Sequence, residues 1–119
     1  MIKRNDVENY LNELKQKIRI FGILFFDDRG KNHQALLDLE ISPKQREAEI
    51  MKLNPENYVK GPLDEKMHSL PPMWVFGRVV KGKEIYIKVS KGKENVQAVC
   101  ISFHIAEHTL IFPLKNKQL

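Results

Sequence analysis

Residues 73–105 read MWVFGRVVKGKEIYIKVSKGKENVQAVCISFHI and contain three apolar runs of strand length, at 73–80, 84–90 and 96–105. The two later runs alternate apolar and polar residues, which is typical of a β-strand with one buried face. Lys81-Gly82-Lys83 and the stretch 91–95 separate the runs and have the composition of hairpin turns. This stretch therefore predicts a three-stranded antiparallel meander.

The residues before the meander predict mainly helices. Residues 5–20 repeat apolar side chains at helical spacing, and Ser42 followed by Pro43 predicts the start of a further helix. The complete predicted order is a helix over 5–20, a short strand over 21–26, helices over 31–39 and from Pro43 to near Leu53, a loop over 61–72, the meander, and a last short strand over 110–114. Helices followed by a run of strands predict one α+β domain over residues 1–119, with the N-terminal helices packed on one face of a C-terminal antiparallel sheet.

Length and composition restrict the class of protein. With 119 residues, 42% of them apolar and 29% charged, the chain fits one soluble domain with its own core. No apolar stretch approaches the roughly 20 residues of a membrane-spanning helix, and residues 1–6 are not followed by the apolar segment of a signal peptide. Cys100 is the single cysteine, so an internal disulfide is impossible. We therefore expect a cytoplasmic protein without a membrane partner.

The formal net charge of +5 is concentrated in one part of the chain. Residues 60–93 carry eight Lys or Arg and three Asp or Glu, whereas basic and acidic side chains balance in the remainder. A local basic excess attracts polyanions such as nucleic acid. The alternative is a solvated, lysine-rich hairpin edge that discourages aggregation and confers solubility.

The polar face of the meander carries the side chains with catalytic potential. Alternation sends Ile85, Ile87 and Val89 towards the core and leaves Tyr86 and Lys88 on the opposite face. The same rule divides the last strand into an inward set (Val99, Ile101, Phe103, Ile105) and an outward set (Ala98, Cys100, Ser102, His104). Arg78 is expected to join this group from the first strand, on the face that it shares with Trp74 and Phe76.

These side-chain types suit cleavage of RNA through its own 2′-hydroxyl. That reaction needs a base for the 2′-hydroxyl proton, an acid for the leaving 5′-oxygen, and cations that stabilise the phosphorane. His104 can be acid or base near neutral pH, and Tyr86 can be an acid if neighbouring cations lower its pKa. The candidate phosphate and RNA contacts are Lys60, Arg78, Lys88, Lys81 and Lys83. This chemistry requires no metal ion and no other cofactor.

Two other features have simpler interpretations. His104 and His108 are four residues apart with Glu107 between them, but they follow a strand and have no third ligand nearby, so we expect no metal site. Cys100 has no surrounding signature and is more typical of a structural thiol.

The chain also contains three short segments in a recognisable order: LNPENYVK at 53–60, GKEIYIK at 82–88 and ISF at 101–103. Together with the aromatic Trp74, they resemble the MqsR toxins. These are small basic ribonucleases of bacterial toxin–antitoxin pairs, and they have a RelE-like fold. The resemblance covers about residues 5–103.

The resemblance implies active-site residues and a partner. Lys60 matches the family's active-site lysine and Tyr86 its active-site tyrosine, and a cognate antitoxin would neutralise the protein. Val75 follows Trp74 where the family has its active-site glutamine. Three residues could supply the missing function: His104, Arg78 and Gln97. The chain from His104 onward also extends past the usual end of the family.

Two hypotheses of different classes follow. The first is a metal-independent endoribonuclease that cleaves mRNA and is the toxin of a type II toxin–antitoxin system. The second is a non-catalytic module that binds nucleic acid or a protein through its basic hairpins. The first hypothesis requires Tyr86, His104 and the phosphate-binding cations to converge on one exposed surface of the sheet.

Overall fold

The computed structural model describes residues 2–27, 30–64 and 69–115. Within these ranges the strands form one sheet in the order β1-β5-β4-β3-β2. The elements are α1 (Arg4–Phe21), β1 (Ile23–Phe25), α2 (Gly30–Leu39), α3 (Pro43–Met51), a 3-10 turn (Pro55–Asn57), β2 (Tyr58–Leu63), β3 (Met73–Val80), β4 (Lys83–Ser90) and β5 (Ala98–Ile105). The expected α+β class and the three strands of the meander are confirmed.

The sheet is mixed, whereas an antiparallel sheet was predicted. Strands β2 to β5 pair antiparallel, but β1 lies parallel to β5, with Ile23 opposite Ala98 and Phe25 opposite Cys100. Parallel neighbours need a long crossover, and here most of the chain lies between the two strands. The hairpin turns therefore determine the meander but carry no information about β1, which pairs with β5 at the edge of the meander.

Two predictions about the flanking segments were wrong. A strand, β2, occupies the start of the predicted loop, and its Gly61–Pro62 peptide is cis. Proline is tolerated there because β2 is an edge strand, paired only on its β3 side with shifts in register. Residues 65–68 of the same predicted loop lie outside the described residues. The predicted strand over 110–114 has no strand conformation and instead packs across the sheet.

The core lies between α1 and one face of the sheet. Helix α1 buries an apolar stripe at helical spacing, formed by Val7, Tyr10, Leu11, Leu14 and Ile18. This stripe belongs to the same buried cluster as the predicted inward residues of β4, Ile85, Ile87 and Val89. The prediction for β4 is therefore confirmed, and its other face points away from α1.

A β-bulge in β5 reverses the predicted facing of half that strand. Lys88 pairs with Ser102, but the next residue of β4, Val89, pairs with Cys100, so Ile101 is the extra residue. Phe103 faces the core as predicted. Beyond the bulge the assignment was wrong: Ala98 and Cys100 join the core, and Val99 and Ile101 pack with Met73 on the other face. One inserted residue inverts the alternation. Cys100 is fully buried, and this burial raises the pKa of its thiol.

The amide side chain of Asn32, in α2, satisfies the backbone beside this bulge. Its Nδ2 donates to the carbonyl oxygens of Phe26 and Ile101, both at 2.9 Å, and its Oδ1 accepts from the Phe103 N–H at 3.0 Å. Asn32 is 1% exposed, so water cannot replace these bonds. The amide thus pairs with the outer edge of β5 just beyond the end of β1.

Helix α3 is attached to β1 through a buried arginine. The Arg46 guanidinium lies 3.6 Å from the centroid of the Phe25 ring and donates to both carboxylate oxygens of Asp27, at 2.7 and 2.9 Å. These hydrogen bonds lower the pKa of the Asp27 carboxyl. The pair therefore stabilises the fold above the ordinary Asp pKa of about 3.9, and this contribution is lost as pH falls through the lowered value.

We predict that Asn32→Leu, which keeps the number and branching of the side-chain heavy atoms, destabilises the fold. Two carbonyls and one N–H would lose their buried partner, so the free energy of unfolding should fall by about 2–4 kcal/mol. Urea denaturation measures this change. The matched control is Gln34→Leu on the exposed side of the same helix, with an expected effect within about 0.5 kcal/mol. Equal, small effects of both substitutions would contradict the role given to Asn32.

Candidate active site

A concave pocket of about 610 Å³ lies on the face of the sheet that points away from α1. Lys60 of β2, Tyr86 and Lys88 of β4, and Ser102 and His104 of β5 line one side of it. The other side is formed by residues 106–115, which follow β5 and which we call the C-terminal arm. The pocket therefore combines the polar face of the sheet with a segment outside it.

The antiparallel register explains why residues distant in sequence meet here. Lys60 and Lys88 both lie opposite Val75, and Lys88 in turn lies opposite Ser102. These four positions form one row across four strands. In a second row on the same face, Gly77 lies opposite Tyr86, and Tyr86 opposite His104. The convergence of Lys60, Tyr86, Lys88 and His104 that the sequence predicted is present.

The two candidate proton-transfer groups are in direct contact. The rings of Tyr86 and His104 stack with their centroids 5.3 Å apart and their planes 16° apart. Nδ1 of His104 lies 3.0 Å from the carbonyl oxygen of Ile105. A carbonyl only accepts, so Nδ1 must carry the proton in this contact, and Nε2 of the neutral ring keeps its lone pair. Nζ of Lys88 lies 5.9 Å from the centroid of the Tyr86 ring and adds positive charge beside the phenol.

Arg78 does not join this group. It projects from the core side of β3, where its Nε donates to Oε1 of Glu49 in α3 at 2.7 Å. Burial alone would raise the pKa of the Glu49 carboxyl, but the hydrogen bonds and charges of Arg78 and Lys52 outweigh burial and lower it. The prediction placed Arg78 with Trp74 and Phe76, and that face is the buried one. Arg78 therefore connects α3 to the sheet.

The hairpin lysines also lie outside the pocket. Nζ of Lys81 donates to the carbonyl oxygen of Glu40, after α2, at 3.1 Å. Lys83 is exposed and borders a shallow depression beside residues 105–109. Both are available to a large ligand that crosses the hairpin, but neither contacts the space between Tyr86 and the arm.

By the resemblance to the MqsR toxins, Val75 stands at the position where that family has a glutamine. Val75 is fully buried in the row between Lys60 and Lys88. Of the three proposed substitutes, His104 lines the pocket. Arg78 faces α3, and Gln97 lies beside Gly22, ahead of β5.

The C-terminal arm is the part of the site that the sequence interpretation missed. A Cβ atom on Gly77 would lie 2.5 Å from Cδ1 of Leu110 and 2.9 Å from the Phe112 ring, so any other residue at this point of β3 would force these two side chains of the arm to shift. The carboxylate of Glu84 accepts a hydrogen bond from the Leu110 N–H at 3.0 Å. Glycine within a central strand often marks the close approach of another segment, so Gly77 is the residue from which the sequence could have predicted this contact.

The start of the arm brings further polar groups to the pocket. Glu107 and His108 both line it, and Oε1 of Glu107 lies 2.5 Å from Nζ of Lys31 in α2. The hydrogen bond and the charge of Lys31 lower the pKa of the Glu107 carboxyl. Among residues 2–27, 30–64 and 69–115, no three His, Cys, Asp or Glu side chains are grouped so that they could hold a metal ion.

In comparisons with protein-family models, curated proteins and solved structures, no match to this chain is found. Within the described part of the chain, no helix has the length and apolar character needed to cross a bilayer. The function is therefore inferred from the pocket itself.

We predict that Gly77→Val displaces the arm and leaves the sheet intact. The valine side chain would occupy the space of Leu110 and Phe112, whereas valine is well suited to a strand. Hydrogen exchange measured by NMR should show the Leu110 amide exchanging at least about tenfold faster, with the Ile87 and Phe103 amides unchanged. The control is Val79→Thr, at the next position on the same face of β3. Unchanged exchange at Leu110 in Gly77→Val would contradict the position of the arm.

Proposed function

We propose that this chain is a metal-independent endoribonuclease that cleaves mRNA and acts as the toxin of a bacterial type II toxin–antitoxin system. The observation that carries the proposal is the convergence of Lys60, Tyr86, Lys88 and His104 on one pocket. These side chains provide a base, an acid and two cations, which is the set that cleavage through the 2′-hydroxyl requires.

The geometry favours His104 as the base. Its Nε2 takes the proton of the 2′-hydroxyl, and the 2′-oxygen then forms a bond to phosphorus. The imidazolium that results is stabilised by the Nδ1–H bond to the Ile105 carbonyl oxygen, which also fixes the ring. As the bond from phosphorus to the 5′-oxygen breaks, Tyr86 protonates that oxygen. The products are a 2′,3′-cyclic phosphate and a 5′-hydroxyl.

The lysines supply the electrostatic part of the mechanism. The phosphorane carries more negative charge than the starting diester, so cations placed beside it stabilise the transition state more than the substrate. Lys60 and Lys88 stand on either side of Val75 in one row, and both line the pocket. Their charges also stabilise the phenolate that Tyr86 becomes after it donates its proton.

The MqsR resemblance agrees with this arrangement. It assigns Lys60 and Tyr86 to an active site, and these residues line the same pocket although they come from the non-adjacent strands β2 and β4. By this resemblance the fold is of the RelE-like type, the protein acts in the cytoplasm, and a cognate antitoxin protein neutralises it. The substitution of Val75 for the family glutamine is then compensated by His104.

The non-catalytic alternative rests on the exposed hairpins. Lys83 and Lys93 are exposed outside the pocket and could bind a polyanion without any chemistry. That alternative predicts salt-dependent RNA binding that does not depend on the Tyr86 hydroxyl.

We predict that Tyr86→Phe lowers RNA cleavage by about 10²- to 10⁴-fold, because the acid is removed, and relieves the growth arrest caused by expression. The matched control is Tyr10→Phe, since the buried hydroxyl of Tyr10 has no hydrogen-bond partner among the described residues. Gel analysis of RNA cleavage and growth after induction give the two readouts. A harmless wild-type protein that leaves RNA intact would overturn the proposal, and so would full activity of Tyr86→Phe.

A further inference from the structure

We infer that the C-terminal arm is a base-recognition element, in which Ile111, with Leu110 and Pro113, contacts the nucleobase of an unpaired nucleotide next to the scissile phosphate. This inference rests on the proposed function and deepens it, because it names the part of the chain that selects the substrate. None of the residues assigned to catalysis lies in the arm.

The two sides of the pocket differ in chemistry as the two ends of a nucleotide do. The sheet side carries the ammonium groups of Lys60 and Lys88 and the imidazole of His104. The arm side begins with the polar residues Glu107, His108 and Thr109 and continues with the apolar side chains of Leu110 and Ile111 and the ring of Pro113. A nucleotide bound with its phosphate at the lysines would place its base against the arm. The volume of about 610 Å³ is within the range of pockets that bind small organic ligands.

Ile111 is the most exposed large apolar side chain among the described residues, at 77%. A single exposed apolar residue needs no explanation on its own. Ile111 differs from Leu37, which is 61% exposed on α2, because Ile111 lines a pocket whose opposite side carries cations. The apolar surface of Ile111 is removed from water, which is favourable, only when a ligand in the pocket covers it.

The arm is held in position by contacts along its length. Glu107 pairs with Lys31, the Leu110 N–H is bonded to the Glu84 carboxylate, and Leu110 and Phe112 pack over Gly77. A recognition surface fixed before binding loses little conformational entropy on binding, so its contacts can discriminate between bases. The arm therefore has the properties of a preformed wall.

The shape of the pocket also selects the state of the RNA. A base bound between the arm and the sheet, as inferred, would be turned away from a helical stack. In A-form duplex RNA the bases are paired and stacked, whereas unpaired bases can be splayed into a protein pocket. The site should therefore bind single-stranded RNA and reject duplex RNA.

The test uses short RNA oligonucleotides with 2′-O-methyl groups, which cannot be cleaved, so that binding is measured separately from catalysis by fluorescence anisotropy. The set contains the four bases at one central position, the same oligonucleotide with an abasic central position, and a duplex. We expect wild-type protein to bind the best base about tenfold more tightly than the abasic form, and the duplex most weakly. Ile111→Ser should remove most of the preference for the base over the abasic form, with unchanged affinity for the abasic form. Leu37→Ser is the matched control and should behave as wild type.

Gly77→Val provides a second test, because it should displace Leu110 and the adjoining Ile111 and so weaken the same preference. If the abasic and base-containing oligonucleotides bind equally to wild type, or if Ile111→Ser retains the preference, the inference fails. Cleavage of unmodified RNA that depends on Tyr86 would in that case still support the proposed function. If RNA stays uncut but the preference depends on Ile111, catalysis fails and base recognition by the arm stands. Absence of any RNA binding overturns both.

Discussion

The structure depends on three hydrogen bonds made by one buried amide. Asn32 of α2 binds the carbonyl oxygens of Phe26 and Ile101 and the N–H of Phe103, and so holds β5 at the point where its bulge interrupts the ladder. Without that partner, buried backbone groups at the bulge would be unpaired, at about 1–3 kcal/mol for each group. The bulge decides which side chains of β5 face the core. Asn32 thus binds the backbone of the strand that carries Ser102 and His104, although Asn32 itself does not line the pocket.

The candidate site follows from this constraint together with the register of the meander. Phe103 fills the core while Ser102 and His104 point to the pocket, and His104 is placed against Tyr86 by the pairing of β4 with β5. The proposed phosphate-binding charge comes from Lys60 on β2 and Lys88 on β4, which both line the pocket. Arg78, although close in sequence, is on the core side of β3 and holds α3 instead. Arg78 of β3 therefore stabilises the contact with α3, whereas the two lysines of the pocket come from the neighbouring strands β2 and β4.

The sequence predicts those parts of this arrangement that depend on local pattern. Strict alternation in β4 and the short turn before it place Tyr86 and Lys88 together, and the next hairpin adds His104. The bulge at Ile101 could not be predicted, because Asn32, which bonds to the Ile101 carbonyl oxygen, is distant in sequence. The one extra residue then inverts the alternation that the prediction used. The parallel pairing of β1 with β5 could not be predicted either, because the two strands are far apart in sequence. The prediction for Arg78 was wrong because both faces of β3 are apolar in sequence. The strand predicted over 110–114 was wrong because Leu110 and Phe112 of that apolar run pack over Gly77 instead of pairing in the sheet.

Cleavage of RNA through its own 2′-hydroxyl is the reaction that we propose for these side chains. The most direct measurement is the chemistry of the new ends after single-stranded RNA is incubated with the protein in excess chelator. We expect cleavage to persist and to leave 2′,3′-cyclic phosphate and 5′-hydroxyl ends. Fragments with 5′-phosphate ends, or loss of cleavage in the chelator, would contradict it.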